Sequence, residues 1–267
     1  MSRHQTFLWS NAQLIPSEAT PVESVVVADS WRVEDGKVVA LDRHLERFFT
    51  GVEPHTRLHE SSREFVDAVL GQLPTEGSWF PRIDLIGTGD QWTFRYQLRP
   101  RPAVTDWAVL ATARLDPRKY PRTKGPDLEA LLALRGEASE RGADEAIIVR
   151  NGYVCEGAYS TVMAWSPDRR TLYSMGPQEP RIASVTESVV ADIAHTRGVT
   201  VVQERFRPDD LDGLEVWVLS ALHGIRHAVS WREGPSLLAP SGIRDDYQRE
   251  WFQRGAPASV EISGERK

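Results

Sequence analysis

The dipeptide Asn151-Gly152 is the tightest constraint this chain places on its own fold. It separates two apolar segments, residues 146–150 and 153–155. A two-residue type I′ turn needs positive φ at both central positions, and Asn followed by Gly tolerates this. A β-hairpin is therefore predicted there. Residues 127–141 read as a helix that stops before Gly142. Residues 161–165 return as strand. Ser184, Val185, Thr186 and Glu187 have the form of a capping box and open a helix to about Thr196. Residues 200–206 and 215–219 read as further strands.

The first part is also mixed. The valine-rich residues 24–33 suit a buried strand. Asp35-Gly36 is a turn signal, with residues 37–41 as the returning strand. Asp42 can cap a helix that carries His44, Arg47 and Phe48. Phe65, Val69 and Leu73 lie at helical spacing within residues 60–73. Residues 80–86, 92–98 and 107–113 read as strands. Residues 115–125, LDPRKYPRTKG, hold two prolines among basic residues and read as an exposed linker. The prediction is a two-domain α/β (α+β) chain. It has a smaller N-terminal α/β domain at 1–115, a linker at 116–124 and a larger C-terminal domain at 125–267.

Composition excludes several functions. The 267 residues are long for one core, and 40% hydrophobic with 26% charged residues is ordinary for a globular protein. No apolar run approaches the roughly 20 residues of a membrane span. Residues 1–9 lack the apolar centre of a signal peptide, so a cytoplasmic location is expected. A net charge of -6 argues against nucleic acid as a partner. The single cysteine, Cys155, leaves no internal disulfide and no multi-cysteine zinc site. His223 and His227 are four apart, but in a strand-and-turn pattern, so structural roles are expected and no metal. Trp31, Trp79, Trp92, Trp107, Trp165 and Trp217 are expected in the core. Residues 254–267 are polar and are expected to fray. No P-loop, nucleophile elbow or dinucleotide fingerprint is present.

Residues 123–165, TKGPDLEALLALRGEASERGADEAIIVRNGYVCEGAYSTVMAW, resemble the core of the class IV (fold-type IV) aminotransferases. That family includes branched-chain and D-amino-acid aminotransferases and aminodeoxychorismate lyase. The resemblance is strongest over residues 123–230. It implies a D-amino-acid aminotransferase-like fold, pyridoxal 5'-phosphate as cofactor, amino acid and 2-oxo acid substrates, and a homodimer. It places Lys124 on the Schiff-base lysine and Glu156 on the carboxylate that faces the cofactor's pyridine nitrogen. "RIASVTESVV" resembles the segment that puts Val185 and Thr186 on the phosphate, with Ser184 where glycine is usual. "LDRHLERF" puts Arg47 on the phosphate arginine. "LSALHGIRHAV" puts Ser220 and Ala221 near the phosphate.

These residue types suit the chemistry. The cofactor's lysine must be desolvated to be a neutral nucleophile. The chain has four lysines: Lys37, Lys119, Lys124 and Lys267. Lys124, at the approach to a helix and a new domain, is the best placed of them. Position alone also allows a solvated linker lysine. A carboxylate such as Glu156 keeps the pyridine nitrogen protonated, so that the ring can act as an electron sink. A helix N-terminus offers free amides to a phosphate.

The first domain matches the family less well. The usual Gly-Asp-Gly is missing, and Asp29-Ser30 stand in for a Glu-Thr-like pair that lines the substrate pocket. Glu129 occupies the position of a tyrosine found in some members, and Asp127 that of a common asparagine. Three functions remain open: transamination, a lyase reaction that eliminates pyruvate to give 4-aminobenzoate, and a non-catalytic protein on the same scaffold.

Overall fold

The structure is a computed structural model and describes residues 4–18, 24–88, 91–176 and 178–258. The chain divides into two compact units. One holds residues 1–102 and 254–267, the other residues 103–253. The boundary expected at 115–125 therefore falls between Pro102 and Ala103. The strand expected at 107–113 is the physical reason: it lies inside the second unit's sheet, bonded on both sides. Lys267 and residues 1–3, named in the sequence reading, lie outside the described residues.

The first unit begins with strands β1 (Gln5–Ser10), β2 (Gln13–Pro16), β3 (Ser24–Ser30), β4 (Val33–Glu34) and β5 (Lys37–Val39). Helices α1 (Leu41–Val52) and α2 (His59–Leu70) follow, then β6 (Ser78–Trp79), β7 (Arg82–Thr88) and β8 (Gln91–Leu98). Five of these strands form a sheet in the order β2-β1-β8-β7-β3. The core holds Trp31, Phe48, Phe65, Ile83, Leu85 and Phe94. The Phe65 and Phe94 rings stack with centroids 4.9 Å apart. Burying each of these side chains contributes about 2 kcal/mol.

Helix α1 is not capped by Asp42. Its N-cap is Ala40, in the left-handed region at φ 50, and no side chain bonds to the helix start there.

The second unit carries β9 (Trp107–Thr112), α3 (Leu128–Glu140), β10 (Glu145–Arg150), β11 (Tyr153–Gly157), β12 (Thr161–Trp165) and β13 (Thr171–Met175). It continues with α4 (Val185–Thr196), β14 (Thr200–Glu204), β15 (Glu215–Ser220), β16 (Gly224–Arg232) and α5 (Ile243–Gln253). Eight strands form one sheet in the order β11-β10-β9-β16-β15-β12-β13-β14. β9 runs parallel to both β10 and β16. The predicted hairpin is present: Arg150 pairs with Tyr153, and Asn151 and Gly152 have φ of 52 and 83. Val154, on the β11 edge, donates its N–H to the Phe206 carbonyl at 2.8 Å, just beyond the opposite edge strand β14. The sheet is thus curled until its two ends meet.

The last strand, β17 (Gly255–Pro257), pairs with β5 in the first unit's small sheet, ordered β17-β5-β4-β6. The fraying expected over 254–267 does not hold for these three residues, because their backbone is bonded into a ladder. Trp31, Trp165 and Trp217 are buried as expected, whereas Trp107, at the start of β9, is 51% exposed.

Candidate active site

The second unit holds a buried carboxylate, Glu156, whose partners are Arg118 and the Ile182 backbone. Glu156 lies near the end of β11 and is 4% exposed. Its Oε1 accepts from Arg118 Nη1, and its Oε2 accepts from the Ile182 backbone N–H at 3.2 Å. Burial pushes the Glu156 carboxyl up to about 7, against the opposing pull of Arg118 and the Ile182 N–H. Arg118 is itself held by Asp116. Its Nε donates to Asp116 Oδ1 at 2.8 Å and its Nη2 to Asp116 Oδ2 at 2.9 Å. Desolvation opposes the charge on Arg118, but Asp116 and Glu156 together hold the guanidinium firmly protonated.

The segment before α3 is a tight loop rather than an exposed linker. The Asp127 carboxylate accepts from the backbone N–H groups of Lys119 and Tyr120 at 2.9 and 2.8 Å. Asp127 stands at the N-cap of α3 yet makes no side-chain cap bond, because both its oxygens close this loop. The Thr123 N–H donates to the Tyr120 carbonyl, and the Leu128 N–H to the Gly125 carbonyl. Lys124 sits inside the closed loop and is partly buried, whereas Lys37 and Lys119 are exposed. Among the described lysines Lys124 is thus the sheltered one.

Ile182 leads from Glu156 to the start of α4. Ser184 is the N-cap, and its Oγ accepts from the Glu187 N–H at 3.3 Å. Only half of the predicted capping box forms. The Glu187 carboxylate turns instead to the Arg181 guanidinium and to the Ser174 hydroxyl, since a largely buried charge needs a charged partner. Val185 and Thr186 are the first residues of α4, and both are buried. Their N–H groups belong to the first turn, which has no intrahelical acceptors.

Ser220 ends β15. Its Oγ accepts from the His223 N–H at 3.2 Å, which closes the turn that includes Ala221. No group of three or more potential metal ligands is present among the described residues.

Arg47 belongs to the first unit. Its Nε donates to Asp29 Oδ2 and its Nη2 to Asp29 Oδ1, both at 2.8 Å. His44 Nδ1 lies 2.8 Å from Asp29 Oδ1. Burial alone would raise the Asp29 carboxyl, but Arg47 and His44 outweigh it and hold Asp29 well below the usual carboxylate range. The residue expected to line a substrate pocket and the residue expected to grip a phosphate are thus bonded to each other.

Arg118 and Asp116 were not singled out from the sequence. A basic residue among prolines carries no sign that its partner lies 38 residues away.

The second unit thus contains a partly buried lysine, a buried carboxylate tied to a guanidinium and to the Ile182 N–H, and the first-turn amides of α4. The fold is shared with solved aminotransferase structures. A fold IV transaminase from Curtobacterium pusillum is similar over 95% of this chain and 98% of its own, with TM-score 0.76 and 17% identity. A branched-chain aminotransferase from Thermoproteus uzoniensis, solved with norvaline, is similar over 96% of this chain and 99% of its own, with TM-score 0.77 and 18% identity. A hypothetical aminotransferase from Mycobacterium tuberculosis in its PLP-bound form gives TM-score 0.73 at 17% identity, over 94% of this chain and 98% of its own. No curated protein matches the sequence significantly. The pattern of the amino-transferase class IV family matches residues 26–231, and the chain belongs to that family. No helix among the described residues is long and apolar enough to cross a membrane.

Proposed function

We propose that this protein transfers an amino group between an amino acid and a 2-oxo acid with pyridoxal 5'-phosphate, working as a homodimer, with Lys124 as the catalytic amine. The observation that carries this reading is the bonding of Glu156. One carboxylate joins β11, the loop that holds Lys124 through Arg118, and the approach to α4 through Ile182. These are the segments to which the family resemblance assigns the lysine, the ring partner and the phosphate.

The residues fit the cofactor. The partly buried Lys124 would supply the amine, the buried Glu156 would meet a protonated ring nitrogen, and the start of α4 would suit a phosphate dianion. When bound, the cofactor supplies an electron sink for charge developing at the substrate's Cα. Lys124 would hold the cofactor through its amine and, once that amine is free, would take the proton from the substrate's Cα. Glu156 would keep a proton at the ring nitrogen, and Arg118 pulls the Glu156 carboxyl toward its anionic form against the burial that raises it. Val185 and Thr186 offer amides to the phosphate, Ser220 and Ala221 offer the β15–β16 turn, and Arg47 offers its guanidinium. The test is to load purified protein with the cofactor, follow visible absorbance, and screen amino donors for keto-acid formation. Aminodeoxychorismate belongs in the same screen: pyruvate and 4-aminobenzoate without an acceptor would replace transamination with elimination. No absorbance after cofactor addition would overturn the enzyme reading.

A further inference from the structure

Helix α5 reaches the turn between β15 and β16 with one side-chain amide. Gln248 is 9% exposed. Its Oε1 accepts from the Ile225 N–H at 2.8 Å, and its Nε2 donates to the His223 carbonyl at 2.9 Å. The two bonds bracket Gly224, which has φ +69, and a Cβ at Gly224 would run into this amide. One helical turn earlier, Arg244 Nε donates to the Ile225 carbonyl at 2.7 Å. Three side-chain bonds from α5 thus hold the β16 end of the turn. On the other side it is closed by Ser220 Oγ and the His223 N–H. A primary amide that bonds one backbone donor and one backbone acceptor fixes both position and orientation, as a strand partner would. A short turn with a serine hydroxyl and consecutive backbone N–H groups binds an anion well only if those groups converge beforehand.

We infer that Gln248 is a positioning residue for the anion-binding turn at Ser220 and Ala221, and sets the protein's preference for a phosphorylated over an unphosphorylated pyridoxal. This rests on the reading of Ser220 and Ala221 given under Proposed function. Gln248 acts through the backbone of His223 and Ile225.

The experiment compares pyridoxal 5'-phosphate with pyridoxal, titrated by visible absorbance into the parent, Gln248→Ala and Gln248→Glu. Thermal unfolding is recorded alongside. Gln248→Ala is expected to weaken binding of the phosphorylated form about tenfold, as for loss of a pair of well-placed hydrogen bonds, and to leave pyridoxal binding within about twofold. Gln248→Glu keeps the acceptor for the Ile225 N–H and loses the donor to His223, so it should lie between. A general loosening of the fold would weaken both ligands equally, and that result overturns the inference. So does an unchanged preference in both variants, or failure of both to fold, which would make Gln248 a scaffold residue. If the parent itself binds both forms equally, the phosphate reading of the turn fails first, and the inference falls with it.

Discussion

Arg118 and Glu156 form a buried ion pair across 38 residues of sequence, with Asp116 holding the far side of the guanidinium. Breaking such a pair leaves an uncompensated buried charge. Arg118→Met should therefore cost about 3–5 kcal/mol of stability. Adding Glu156→Gln removes the stranded charge, so the double variant should be more stable than Arg118→Met alone. Urea unfolding of the two single variants and the double variant measures the coupling. Strictly additive costs would show that the two groups do not depend on each other.

Glu156 gives the cofactor-free protein a specific pH dependence. Its carboxyl moves from the ordinary 4.5 up to about 7 on folding, with burial as the main cause. As pH rises through that window the unfolded chain loses this proton first, so the folded state holds more protons and stability falls. Glu156→Gln cannot titrate. Relative to that variant, the parent should lose roughly 2–3 kcal/mol between pH 4.5 and about 7, then change little from this group. Parallel stability curves for the two proteins would mean that Glu156 is charged throughout.

Lys124→Ala should abolish borohydride-reducible attachment of pyridoxal 5'-phosphate, while Lys119→Ala should leave it intact. The difference follows from burial: Lys124 lies in the loop that Asp127 closes, and Lys119 is exposed. Peptide mass mapping of the reduced adduct decides it. An adduct on Lys119 would redraw the site.

Arg47→Ala should have two effects. It takes the guanidinium from Asp29, which is fully buried and is left with His44 and the Ser30 N–H, at a cost of about 3 kcal/mol. It should also weaken binding of pyridoxal 5'-phosphate. Arg47→Lys should recover only part of either, because an ammonium cannot reproduce the two-pronged contact with Asp29. Asp29 is held well below its ordinary value, so its contribution is present above that value and is lost as pH falls. Denaturant midpoints at neutral and acidic pH, with a cofactor titration, separate the two effects. An Arg47→Ala variant as stable as the parent would remove the Asp29 pair from the account.

Ala40→Gly should stabilise the protein. Ala40 takes φ 50 and ψ 48 at the start of α1, a conformation that costs an L-residue about 1–2 kcal/mol and glycine much less. Glycine's greater freedom in the unfolded chain offsets part of the gain, so a net increase of about 0.5–1 kcal/mol is expected by thermal unfolding. A lower melting temperature would mean that the Ala40 side chain contributes more than the strain removes.

Much of the second unit was legible where the signal is local. The Asn151-Gly152 hairpin formed because its turn chemistry lies within two residues. Helices α3 and α4 lie where Gly142 and Ser184 mark their ends. β16 is read only as part of a strand and turn around His223 and His227, and α5 is missed, because buried polar residues disguise them. In β16, Arg226 is buried and pairs with Glu145 on β10, and His227 is buried 3.4 Å from Glu215 on β15, with burial pushing its pKa down. In α5, the buried residues Arg244, Tyr247, Gln248 and Trp251 recur at helical spacing, but two of the four are polar. A pattern read from apolar residues alone misses a face of this kind.

The sequence by itself determined the turn at 151–152, the order of the motifs from Lys124 through Glu156 to Thr186, and the family to which that order points. Each depends on neighbours a few residues apart or on residue order. Tertiary structure decided that Arg118 meets Glu156, that Arg47 meets Asp29, that Asp127 closes the Lys124 loop rather than capping α3, and that Gln248 holds the turn after Ser220. Those choices depend on which polar groups are buried together. A buried charge or amide must find a partner wherever the folded chain brings one, and sequence distance carries no record of that.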